Sequence, residues 1–81
     1  MPRYYFDLQR RGAEFDPDTY GVILRDAKAA EREALVTLGE MLQDQMARGL
    51  LDDLAIRVRQ EANQPLLVAS VSIRLQLIQR D

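Results

Sequence analysis

Residues 26–49 read DAKAAEREALVTLGEMLQDQMARG. Ala, Glu, Leu, Gln and Met dominate this stretch, and no Pro interrupts it. Ala27, Ala30, Ala34, Leu35, Leu38, Met41, Leu42, Gln45 and Met46 recur at helical spacing, with Gln45 the one polar break in the apolar stripe. Asp26 suits the N-cap, because its carboxylate can accept an orphan first-turn amide and favours the positive end of the helix dipole. Gly49 suits a left-handed C-terminal cap. The stretch therefore predicts one amphipathic helix from Ala27 to about Arg48.

The flanks on both sides have a period of two instead. From Arg3 to Gln9, Tyr4, Phe6 and Leu8 share one face, and Arg3, Tyr5, Asp7 and Gln9 share the other. RRGAEFDPDTY over 10–20 reads as a broad turn, and Gly21 to Arg25 as a second short strand. After the helix, Leu54, Ile56 and Val58 alternate with Ala55, Arg57 and Arg59. A turn at 62–65 (ANQP) leads into a β-like run from Leu66 to Ile78 with no Gly or Pro inside it. The expected fold is α+β in β-β-α-β-β order: a four-stranded antiparallel sheet with the helix packed on one face. All of residues 1–81 belong to this single domain. A final strand of about 12 residues exceeds the usual 5–6. Its unpaired edge invites another chain, so a homodimer is expected.

The opening MPRYYFDL, the Asp18-x-x-Gly21 step and GVILRDAKAAEREAL resemble a family of small uncharacterised bacterial proteins. That family carries a domain of unknown function, is mostly alphaproteobacterial and opens Met-Pro-Arg-Tyr-Tyr/Phe-Phe. The matching positions are Tyr4, Phe6, Gly21, Leu24, Asp26, Ala30 and Ala34. The first half of the chain matches well and the second half loosely. Family members often turn at a Gly between the last strands and end on a shorter strand, whereas this chain has Asn63-Gln64-Pro65 and a long final run. The resemblance implies the fold and no activity.

Composition narrows the chemistry. A hydrophobic fraction of 47% is too high for a disordered chain. There is no Cys and no His, which removes disulfides, thiolate metal sites and the commonest general base and zinc ligand. No apolar run is long enough for a secretory core or a membrane span, so a cytoplasmic location and no membrane association are expected. The net charge of −2 is uneven. Residues 26–53 carry Lys28, Arg32 and Arg48 against Asp26, Glu31, Glu33, Glu40, Asp44, Asp52 and Asp53, a net of −4. Residues 54–81 carry four Arg against Glu61 and Asp81, a net of +2.

No catalytic, cofactor or metal constellation emerges, and the chain is read as a non-enzyme without cofactors. Asp16-x-Asp18-x-x-Gly21 imitates the start of a calcium loop, but the twelfth position is Ala27 where a bidentate Glu belongs. Glu31 and Glu33 are two apart on a helix and share no face. Asp52-Asp53 reads as a solvated connection. Ser70 and Ser72 have no histidine to act as base, and a Ser–Lys arrangement would need Lys28, the only lysine, which falls on an exposed first helical turn.

The best candidate is the sheet face opposite the helix. There Arg3, Tyr5, Arg57, Arg59 and Arg74 form a possible partner or nucleic-acid surface. Leu66, Val68 and Ile78 add apolar bulk that suits dimer contacts. A sequence pI near 5.0 sits below the basic range of dedicated nucleic-acid binders. The leading expectation is a protein-interaction or accessory/regulatory module acting as a homodimer, with room for a further, unidentified protein partner. The alternative is a nucleic-acid-binding regulator.

Overall fold

The structure is a computed structural model that describes residues 1–61 and 64–79. Its elements run β1 (Arg3–Arg10), β2 (Val22–Ile23), α1 (Ala27–Ala47), β3 (Leu54–Gln60) and β4 (Gln64–Val71). The strands form one antiparallel sheet in the order β2-β1-β3-β4, with the helix packed on β3 and β4. This is the α+β architecture that the two periodicities predict. β2 and β3 flank β1 and run in the same direction, so α1 is the crossover that carries the chain between them.

Both helix ends follow from their residues. The Ala29 amide donates to Asp26 Oδ1 at 2.9 Å. At the other end Gly49 adopts φ +76, its amide donates to Met46 O at 3.0 Å, and the Leu50 amide donates to Gln45 O at 2.9 Å. These paired bonds satisfy the last carbonyls in a Schellman cap.

The core lies between helix and sheet. Ala30, Ala34 and Leu38 pack with Tyr4, Leu54, Ile56 and Val58, and Phe6, Leu8, Met41 and Leu42 close around them. Small alanines in the first half of the helix let it lie close to the sheet. Leu35 and Met46, though part of the expected stripe, are more than half exposed. Gln45 is buried; its Nε2 donates to the Asp52 carbonyl at 2.9 Å and so ties the helix end to the start of β3. Its Oε1 has no partner among the described residues.

Three boundaries differ from the periodicity. β2 shrinks to Val22–Ile23: Ile23 already pairs with Arg3, the first residue of β1, and the chain bends at 25–26 beyond it. The expected 62–65 turn is only partly visible: residues 62 and 63 lie outside those described, and Gln64 and Pro65 already belong to β4. The long final strand is corrected most. β4 ends at Val71, which faces Leu54, the first residue of β3. Ser72 onward has the alternation of a strand but no neighbour to pair with among the described residues, so residues 72–79 lie outside the sheet.

Gly21, where the chain enters β2, has φ +72. A methyl there would come within 2.9 Å of Arg3 Cγ and Tyr5 Cε2 and 3.0 Å of the Tyr4 carbonyl oxygen, whereas one at Gly49 would meet open space. Both positions carry the left-handed backbone penalty of about 1 kcal/mol. Gly21→Ala should therefore lower the urea midpoint clearly more than Gly49→Ala.

Candidate functional site

The outer face of the sheet, opposite α1, is built by β1 and β3. Their register sets Asp7 opposite Arg57 and Tyr5 opposite Arg59. Asp7 is fully buried, at 0% exposure. Arg59 grips it bidentately, Nε to Oδ2 at 2.7 Å and Nη2 to Oδ1 at 2.9 Å. Arg57 adds Nε and Nη2 to Oδ2, each at 2.8 Å. The Asp18 amide donates to Asp7 Oδ1 at 2.9 Å.

The 11–20 segment folds over this pair. Arg59 Nη2 donates to the Asp18 carbonyl at 3.0 Å. The Phe15 ring lies 4.5 Å from the Arg57 guanidinium, and the Tyr5 ring 4.9 Å from that of Arg59, both within cation–π range. The Asp18 carboxylate accepts the amides of Phe6 at 3.1 Å, Tyr20 at 3.0 Å and Gly21 at 3.1 Å. A continued β2 would have offered Phe6 a backbone carbonyl; the Asp18 side chain takes that place. Further along, Leu8 and Asp16 exchange backbone bonds at 3.1 and 2.6 Å. The chain's own loop thus closes the free edge of β1 and covers part of the face that periodicity assigns to a partner or dimer surface.

The electrostatics follow from the contacts. Burial alone pushes the Asp7 carboxyl up, but the hydrogen bonds from Arg59, the Asp18 amide and Arg57 outweigh it, and its pKa falls from 3.8 to about 2. Burial likewise opposes ionisation of Asp18, and its three amide donors overcome that and lower its pKa. Arg59 is raised, chiefly by its bond to Asp7. Asp7 is therefore ionised throughout the physiological range, and both its oxygens are engaged. Two carboxylates balance two guanidinium groups, so the cluster presents no net positive charge.

The structure brings only part of the predicted surface together. Tyr5, Arg57 and Arg59 share the cluster, with the Arg57 and Arg59 side chains 34% and 15% exposed. Arg3 is exposed at its margin, and its Nη1 donates to the Tyr20 carbonyl at 2.9 Å. Arg74 lies outside the sheet, in the 72–79 segment. Val68 faces Arg57 across β3 and β4, and Leu66 falls at the register shift beside Val58 and Arg59. Ile78 is 94% exposed beyond the strand end.

The residues that periodicity left without a role are Asp7 and Asp18. The available signal was an acid on the same outward face of β1 as two arginines on β3. Of the other acids, Asp52 approaches Arg11 at 3.9 Å and Glu31 approaches Lys28 at 3.3 Å. Among the described residues no group of three His, Cys, Asp or Glu side chains could hold a metal ion. No helix there is long and apolar enough to cross a membrane.

Sheet, helix and cluster together define a small α+β domain whose loop is locked to its sheet by an internal ion network. The chain belongs to DUF6894, a domain of unknown function, which it matches over residues 3–72. No curated protein and no solved structure matches it.

The Asp7 shift sets a pH dependence. A carboxyl whose folded pKa is depressed stabilises the fold above its unfolded pKa and loses that contribution as pH falls through the folded one. For Asp7 the shift is worth about 2 kcal/mol, lost between about pH 4 and pH 2. Asp7→Asn should cost about 3 kcal/mol at neutral pH, because it leaves two partly buried guanidinium groups without their anion. Urea unfolding at pH 7 and at pH 2.5 checks both effects, and the variant should lose less stability between them than the parent does.

Proposed function

We propose that this chain is a small non-catalytic interaction module that acts as a homodimer in the bacterial cytoplasm. The observation that carries the reading is the outer edge of β4, which among the described residues has no strand beside it and runs directly into the apolar segment 72–79. Val68, Leu75, Leu77 and Ile78 are all more than half exposed there. Burying one such side chain is worth about 1.5–3 kcal/mol, so leaving the row in water is costly for a chain this small. An open edge with aliphatic side chains is also a template for pairing.

The contrast with β1 supports the reading. The β1 edge is closed by Asp16, Asp18 and β2, whereas the β4 edge has no charged residue between Gln64 and Ser72 to blunt it. A further protein partner would compete for the same edge. Nucleic acid is the less favoured occupant of the outer face, since Asp7 and Asp18 together offset the charges of Arg57 and Arg59. Binding of that kind depends on cations available to phosphates.

Multi-angle light scattering at micromolar concentration should give the mass of two chains. The Leu75→Asp, Leu77→Asp double variant should give the mass of one with an unchanged circular dichroism spectrum. A parent protein that stays monomeric across the micromolar range would refute the homodimer.

A further inference from the structure

We infer that the second copy docks by reciprocal strand addition, with residues 72–79 of each protomer pairing antiparallel to the outer edge of the partner's β4 about a twofold axis at Ser72. This rests on the homodimer reading and adds its geometry. β4 has 8 residues, and the segment 72–79 is equally long. At about 3.3 Å per residue the two together span roughly 53 Å when extended. The longest dimension of the molecule is 56 Å, and the radius of gyration is 14.8 Å, against about 12 Å for a compact chain of this length. The segment therefore continues the line of β4 away from its own body. Leu75, Leu77 and Ile78 are each more than 70% exposed along it, while Ile73, next to the strand end, is partly buried.

The sequence is self-complementary about Ser72. β4 residues that face the helix are Leu67, Ala69 and Val71, set opposite Val58, Ile56 and Leu54. In the proposed register Leu67 meets Leu77, Ala69 meets Leu75 and Val71 meets Ile73, so that face is wholly apolar. On the other face Val68 meets Gln76, Ser70 meets Arg74 and Ser72 meets its own copy. A slip of one residue would turn the aliphatic row onto the polar face. A parallel arrangement in register would stack Arg74 on Arg74, whereas this register separates the two by four positions. The helix lies over β3 and β4, the strands next to this edge, so an added strand gains an apolar neighbour as well as a ladder. Each protomer's extension fills the other's free edge, which gives a closed, isologous pair. The stretch matched by the family ends at Ser72, so the pairing is a property inferred for this chain rather than for its family.

The chain has no cysteine, so single thiols report the register directly. In the proposed pair the two Ser72 positions face each other at a Cα separation of about 4.5–5.5 Å, within disulfide range. The two Ser70 positions are offset by four residues, about 13 Å along the strand. Under mild oxidation Ser72→Cys should form a disulfide-linked dimer many-fold faster than Ser70→Cys, and Ser70→Cys combined with Arg74→Cys should recover the rapid cross-linking. All three variants should have the mass of two chains by light scattering before oxidation. A dimer in which Ser72→Cys links no faster than Ser70→Cys overturns the register and leaves the homodimer standing. A monomeric parent overturns both.

Discussion

The Asp7 carboxylate is ionised, out of contact with water, and held by two arginines and a loop amide. A buried charge of this kind is a weak source of net stability but a strong constraint, because removing any one partner strands the others. Here the constraint is positional. Only one register of β1 against β3 sets Asp7 beside Arg57 while Tyr4, Phe6 and Leu8 face the helix; a one-residue slip would drive the carboxylate into the apolar core. The same carboxylate accepts the Asp18 amide, and the Asp18 carboxylate then collects the amides of Phe6, Tyr20 and Gly21. Sheet register, loop position and entry into β2 are coupled through two side chains.

That coupling leaves the two edges of the sheet in opposite conditions. On the β1 side the loop substitutes for a strand: a carboxylate bonds one amide, a two-residue strand pairs with Arg3 and Tyr4, and an isolated bridge holds Leu8. Beyond β4 nothing comparable is present among the described residues. Self-association through the β4 edge is the proposal most consistent with a domain that closes one edge with care and leaves the other bare and aliphatic.

Much of the fold was legible from two periods. Alternation at Tyr4, Phe6 and Leu8 and at Leu54, Ile56 and Val58 located the inward faces, and Asp26 and Gly49 located the helix ends. Alternation reports which face a side chain is on and is silent about what it meets there. Alternation therefore puts Arg57 and Arg59 on the correct face and leaves them looking available, whereas Asp7, some 50 residues earlier, engages both. The end of β4 was illegible for a related reason. Residues 72–77 have strand character, but a strand in a sheet stops where its neighbour stops, and β3 begins at Leu54. The loop defied periodicity altogether, because Asp18 works through hydrogen bonds to backbone amides that leave no repeating pattern in the sequence.

Asp7 is the ionised anchor between sheet and loop. Its side-chain carboxyl carbon can be followed by NMR in a pH titration of the folded protein. The midpoint should fall near 2, well below the ordinary carboxyl value of 3.8. A midpoint at or above the ordinary value would mean that the arginines do not hold the carboxylate.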